Sequence, residues 1–405
     1  MTFEIFIMPY HFSPEILFQY FLKRESTQFF VSIAIRYLAL GMIGIYEPIF
    51  IYLFFRKSLC PTLLFWAAIY GLFGILVVFG GKIMAKIGLK HTMLISHFFF
   101  FGYYLCLFFL YQNSYLLIPA IFLRAIGMTL FWPAFHTDFV RFSERDKRAV
   151  EVGKLSGISF TANIISPTIG GLILANFGYL VLFIVVLVTL FASTFPLFLS
   201  KERHEIYTDS YFRAWQRIKK NKSLSLGLAS LGIESVSIMI FWPIFMFVLE
   251  INFEKMGAIT TIGLAIAALY AIYMGRVTQK QDKKKLLRMG SILLSLVWII
   301  KYFVKDAFGA FLTHNFYRIA KTSAFVPFRT TIYEKAALKK AEADEFLIYR
   351  EIVFNLSKLA FLLFLAGIFY FFPKPQIGFI FAAVASLGLV FVAQNKLPSF
   401  KFLKK

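Results

Sequence analysis

The sequence predicts an all-α integral membrane protein of twelve transmembrane helices, and three observations carry that prediction. Apolar residues make up 59% of the 405 positions and charged residues only 16%, with a mean hydropathy of +0.73; soluble domains are nearer one-quarter charged. Twelve apolar stretches approach the roughly 20 residues that a bilayer core demands of a helix. Motifs in the first half also recur in the second at a nearly constant offset.

The segment 1–28 comes first. Ser13-Pro14-Glu15 reads as a helix start with Pro at the first helical position, and the aromatic residues that follow suit an interfacial helix. No basic n-region or small-residue cleavage site accompanies it, so no cleaved signal peptide is expected. Apolar runs then fall near 29–54, 62–84, 92–111, 115–138, 153–175 and 178–200, forming a first six-helix half over 29–200. A hydrophilic linker follows at 201–222. Within it Tyr211, Trp215 and Ile218 share one helical face while Arg213, Arg217 and Lys219 lie elsewhere around it, the pattern of an amphipathic helix on a membrane surface. Six further runs near 224–249, 257–275, 289–305, 307–331, 346–372 and 376–394 make a second half over 223–395, and 396–405 is a basic tail.

Lys and Arg set the expected orientation. With the N-terminus inside, the inner segments hold 31 basic residues against 6 outside, the outer group being Arg56, Lys57, Lys255, Lys301, Lys305 and Lys374. Both termini are therefore expected in the cytoplasm of a multi-pass protein of the plasma or inner membrane. The net charge of +22 then reflects topology, and no nucleic-acid partner is expected. The expected partners are the lipid bilayer, a small-molecule substrate and protons, with the chain a monomer.

The repeat is specific in its register. Glu47-Pro48-Ile49-Phe50 returns as Trp242-Pro243-Ile244-Phe245, displaced by 195 residues. Gly81-Lys82 returns as Gly275-Arg276, and the pair Arg124 and Pro133 as Arg318 and Pro327, each displaced by 194. An even number of spans per unit keeps the two copies in one orientation, so they are parallel repeats about an axis along the membrane normal.

Several motifs carry a family resemblance. Gly81-Lys82-Ile83-Met84-Ala85-Lys86-Ile87-Gly88-Leu89-Lys90-His91 resembles the signature loop between the second and third spans of the major facilitator superfamily, in Gly81, Lys86, Gly88 and Lys90. Ala85 stands where that family places an aspartate, which puts the family's charge-relay latch in doubt. Asp138 through Arg148 to Gly153 resembles the loop after span four. Ser166-Pro167-Thr168-Ile169-Gly170-Gly171 is similar to the Gly-Pro-x-x-Gly-Gly element of family antiporters, with Ser166 for the first Gly, and Pro167, Gly170 and Gly171 are its packing residues. Arg124 matches the fourth-span Arg, without the Gln-Gly of drug–proton antiporters. The resemblance implies two six-helix bundles and secondary active transport by alternating access, with the substrate cavity between the halves and a lean towards efflux or antiport.

Ionisable residues inside spans are expensive and point to function. The candidates for substrate binding or coupling are Arg36, Glu47, Arg124, Glu234, His314, Arg318, Lys321 and Lys358. Arg36 and Glu47 are three helical turns apart, sharing a face beyond pairing distance. His314, Arg318 and Lys321 form one stripe at i, i+4, i+7. Glu47 and Glu234 read as the two acids well inside the spans, with Lys358 a partner for Glu234. Proton loading of either acid is one coupling scheme; a static salt bridge is the other. The surplus of cations suits an anionic organic solute, whereas the 53 phenylalanines are equally compatible with efflux of hydrophobic compounds.

Cys60 and Cys106, read as a loop thiol and a small apolar side chain, give neither a disulfide framework nor a zinc spacing. No metal, cofactor or catalytic residue is expected. A membrane-embedded lipid-modifying enzyme would need acidic or His clusters at a membrane face, and His91 and His136 stand isolated in the sequence. A non-transporting receptor or scaffold on the same fold remains the other alternative.

Overall fold

The computed structural model describes residues 25–142, 163–198, 204, 207, 211–338 and 343–394. The interfacial helix over the first residues, the loop with Arg145, Arg148 and Gly153, and the basic tail 396–405 lie outside the described residues. The fold is all-helical with twelve spans. Span one comprises Glu25–Ile43 and Glu47–Phe54, followed by spans at Leu59–Ile87, Leu89–Phe108 and Leu117–Phe142. Spans five and six share Ser166–Ala192. The second set begins with Lys222–Val236 continued by Trp242–Val248, then Phe253–Lys280, Lys283–Tyr302, Ala307–Leu338, Ala343–Phe371, and Ile377–Gly388 with Val390–Gln394. The linker helix is Tyr211–Lys220.

Eight of these helices are long and apolar enough by composition to cross a bilayer. Departures from a simple apolar span have identifiable reasons. Ser166–Ala192 changes direction at Gly178, whose φ of +77° lies where only glycine is comfortable. The stretch before it packs beside Met42 and Tyr46, while the stretch after it runs back from Phe50 to Ser32 through Phe183 and Ser193. Span nine starts at Lys283, earlier than the apolar run implies, and ends with a lysine, Lys301, inside the helix. Span ten carries the charged stripe. Span twelve is interrupted at Leu389.

The repeat is visible in the backbone. After span one the amides of Phe55, Arg56 and Lys57 bond to the carbonyls of Ile51, Leu53 and Tyr52; after span seven Leu249, Glu250 and Ile251 bond to Phe245, Phe247 and Met246, the same pattern 194 residues on. Arg56 and Glu250 both take positive φ, 53° and 57°. Each first span is also broken ahead of its proline. Span one opens into a turn at residues 44–46 before Pro48, and span seven widens into a π-type turn over Ser237–Phe241 before Pro243. A ring without an N–H cannot continue the hydrogen-bond ladder, and such breaks recur at functional positions.

Lipid is as apolar as leucine, so helices associate here by close packing of small residues rather than by hydrophobic burial. The glycines show where. Spans two and eleven meet along Gly71, Gly74 and Gly81 facing Leu359, Leu356 and Ile348. Spans five and eight meet where Gly171 faces the carbonyl of Phe253 and Gly257 that of Pro167. Phe98, Phe122, Phe177 and Phe316 are exposed on the outside of the bundle, where lipid would cover them.

The two halves touch near both ends. At the end away from the basic loops, Tyr46 donates to Pro167 O at 2.7 Å and lies against the carbonyl of Phe253 at 3.0 Å, and Tyr52 meets Phe247 edge-on. A cavity of about 660 Å³ opens beside this contact, lined by Tyr52, Lys57, Phe247, Glu250 and Glu254 among others. At the basic end His136 Nδ1 and Tyr333 Oη stand 2.7 Å apart.

Candidate transport site

Two buried carboxylates organise the interior, one in each half. Glu47 opens the second segment of span one, immediately past the break and beside Pro48, and is 2% exposed. Span three supplies Tyr103, donating to Oε1 at 2.7 Å, and Tyr104, donating to Oε2 at 3.0 Å. Span four supplies Arg124, whose Nη2 stands 3.6 Å from Oε1 while Nη1 donates to Tyr104 at 3.3 Å. The Arg124 guanidinium also lies 4.9 Å from the Tyr103 ring centre. A buried acid keeps its charge only with such a set of donors and a cation.

Glu234, on span seven, is fully buried. It accepts from Tyr317 Oη at 2.8 Å, from Trp298 Nε1 at 3.4 Å, and from Lys321, with which it forms an ion pair. The architecture is that of the first half: an acid from the first helix of the unit, an aromatic donor from the third and a cation from the fourth. Tyr104 and Trp298 are 194 residues apart and play the same part. The acid itself has moved, since Glu234 stands eight residues before Trp242, the position that answers to Glu47.

The cations outnumber these acids. The Arg36 guanidinium stacks 3.7 Å from the Phe131 ring centre and 4.3 Å from that of Phe100, and its Nη1 has no hydrogen-bond partner. Arg318 donates through Nε to His314 Nε2 at 3.1 Å, so the stripe on span ten is continuous from His314 to Lys321. Lys358 sits 3.9 Å from the centre of Phe354 and 4.3 Å from that of Tyr70, a residue of the other half. Among the described residues none of these three cations has a carboxylate within ion-pair distance.

Five expectations are corrected by this geometry. Lys358 does not pair with Glu234; Lys321 does, because it stands on the facing side of span ten beside Tyr317. Lys301 is not an outer-loop residue: the helix continues past it, and its ammonium lies 3.0 Å from the centre of Trp242. Glu47 and Glu234 are not the only buried acids, since Asp138, Glu345 and Glu351 are buried as well. His136 is not isolated: besides Tyr333, its Nε2 lies 3.7 Å from Glu351, which is ion-paired with Arg350. Cys60 stands in the first turn of span two rather than in a loop.

The signature-loop residues divide between turn and seam. Gly88 ends span two with φ +92° and bonds its amide to Met84 O at 2.9 Å, while Gly81 lets Tyr207 and Ile348 approach. Lys86 is exposed and Lys90 buried. Ala85 packs against the apolar cluster of Ile348, Tyr207 and Phe73, so an apolar contact occupies the place of the aspartate. Pro167, Gly170 and Gly171 hold span five against spans one and eight, Gly170 lying on the backbone of Met42. Tyr46, Trp298 and Lys301 had no signal in the sequence; Trp298 alone was reachable, as the repeat partner of Tyr104.

A family model described as Major Facilitator Superfamily matches residues 29–341. The chain belongs to the Major Facilitator Superfamily. Solved structures agree at the level of the fold. FucP, a superfamily transporter in the outward conformation, aligns with a TM-score of 0.67 at 12% identity, covering 92% of this chain and 98% of its own. The human organic anion transporter MFSD10 (TETRAN) aligns with a TM-score of 0.63 at 13% identity, covering 92% and 99%. Comparison with curated protein sequences finds no match. As a superfamily member the chain is a multi-pass membrane protein and a secondary transporter of a small solute, not an enzyme.

Proposed function

We propose that the chain exchanges a small organic anion by alternating access, with the substrate between the halves 29–200 and 223–395 and both termini inside the cell. One observation carries the substrate class: Arg36, Arg318 and Lys358 are buried or half-buried in the spans with no carboxylate within ion-pair distance among the described residues, while Glu47 and Glu234 are already paired. An uncompensated cation in a dry site is costly, and an arriving oxyanion removes that cost. Arg318 offers the planar fork that carboxylates and phosphate esters accept, and His314 beside it adds a donor. MFSD10 is described as an organic anion transporter; at 13% identity that likeness concerns the fold, and the anion assignment rests on the charges.

Exchange or efflux is favoured over uptake because the Pro167–Gly171 element matches the family's antiporter pattern. Proton coupling is assigned to Glu47, which faces Arg124 and two phenols whose bonds a proton on the carboxylate would redistribute. The test is ligand-induced thermal stabilisation of the purified protein with panels of aromatic carboxylates, dicarboxylates, sugar phosphates, organic cations and neutral sugars. Anions alone should raise Tm, and Arg318→Gln should remove the rise. Stabilisation by cations or neutral solutes, with the anions inert, overturns the proposal.

A further inference from the structure

The ammonium of Lys301 is the least explained charge in the molecule. The residue is fully buried and its Nζ has no hydrogen-bond acceptor. It lies 3.0 Å from the centre of the Trp242 ring, 5.1 Å from that of Tyr317 and 5.4 Å from that of Trp298. Cation–π attraction, even when desolvated, is weaker than the cost of sealing an unpaired ion away from water. A residue held at that disadvantage has a use in some other state.

Its neighbours indicate the use. Tyr317 and Trp298, two of the three rings around Lys301, are the two residues that donate to Glu234. Glu234 therefore has Lys321 as its ion-pair partner and Lys301 as a neighbour across its two aromatic donors. Lys321 reaches the carboxylate from a side where the lysine side chain is 18% exposed, and the Glu234 side chain is 0% exposed. Lys301 is itself fully buried. Among the described residues His314 and Arg318 on span ten and Lys358 on span eleven also lie around the cluster, so cations or potential cations outnumber Glu234.

We infer that Lys301 is a standby counter-charge for Glu234, which it takes over when a substrate anion draws Lys321 away. The substrate half of this statement rests on the anion reading above; the pairing half does not. The exchange leaves no orphan carboxylate behind the departing Lys321, so substrate entry proceeds without a proton at Glu234. It also moves spans seven, nine and ten relative to one another, because the ion pair passes from the open face of span ten to span nine. Lys301 is on this account a positioning residue that never touches substrate.

A thermal double-mutant cycle tests the pairing without any ligand. Lys321→Met mimics the state in which the anion has claimed Lys321, and Lys301→Met removes the standby. In detergent at neutral pH each single variant still leaves Glu234 one cation, and the expected Tm changes are small, with Lys301→Met at or above the parent. The double variant leaves the carboxylate bare, and its Tm should fall by roughly 5 °C or more beyond the sum of the singles. Adding Glu234→Gln to the double variant should restore most of the loss, including the case where the double variant does not fold. Additive losses, a fall in Lys321→Met as deep as in the double variant, or no rescue by Glu234→Gln each overturn the inference. None of those results touches the anion proposal, which stands or falls on ligand stabilisation and flux.

Discussion

At the residue scale the two buried acids are the most informative groups, because each is held by a different set of partners. Glu47 has one cation within reach, Arg124, and two tyrosine hydroxyls. Arg124→Met should therefore destabilise the protein by about 3–5 kcal/mol, the usual effect of removing one member of a buried pair, and Arg124→Met with Glu47→Gln should recover most of it. Thermal melts of the purified variants check this. Glu47→Gln alone removes the proposed proton site: flux should persist while its response to an imposed pH gradient disappears. A gradient response unchanged in Glu47→Gln would place the proton elsewhere. The candidate acids and the stripe on span ten were legible in the sequence because a charge inside an apolar run stands out against it. Lys301 was not. It lies at the end of its apolar run, where the same lysine reads as a loop residue, and only the continued helix and the Trp242 ring distinguish burial from exposure.

At the element scale the spans are set by hydropathy and their breaks by glycine and proline. Twelve apolar runs gave the spans, and the sequence placed most edges within a few residues; span nine was misjudged at its start because Lys283–Lys285 look like a flank. The Gly178 reversal is a backbone requirement: Gly178→Ala has open space for its methyl group yet must adopt φ +77°, so a loss of about 1 kcal/mol is expected. Gly170 is the opposite case, with helical backbone and no room, since the carbonyl of Met42 occupies the space of a side chain. Gly170→Val should separate spans one and five, lowering Tm and flux together. Gly367→Ala, where nothing lies near, is the matched control and should leave both unchanged. Equal effects at Gly170 and Gly367 would contradict the close-packing account of spans one and five.

At the scale of the whole molecule, the parallel repeat relates the two halves and the uneven distribution of charge underlies the task proposed for them. The repeat was readable from three motif pairs and is repeated in the turn hydrogen bonds at Arg56 and Glu250. The contacts between halves were not readable, because Tyr46 reaches Phe253 across 207 residues of sequence and His136 reaches Tyr333 across 197. The proposed orientation rests on the lysines and has its own check: in a background without Cys60 and Cys106, cysteine at Lys284 should react with a membrane-impermeant maleimide only after the cells are opened, and cysteine at Lys57 in intact cells. The claim that governs all the others is that the surplus cations receive an anion. Its most direct test is counterflow in proteoliposomes loaded with each of the anions, cations and neutral sugars of the stabilisation panel. The account predicts saturable exchange for at least one class of organic anion, lost in Arg318→Gln. Saturable exchange of cations or neutral sugars, with every anion inert, would contradict it.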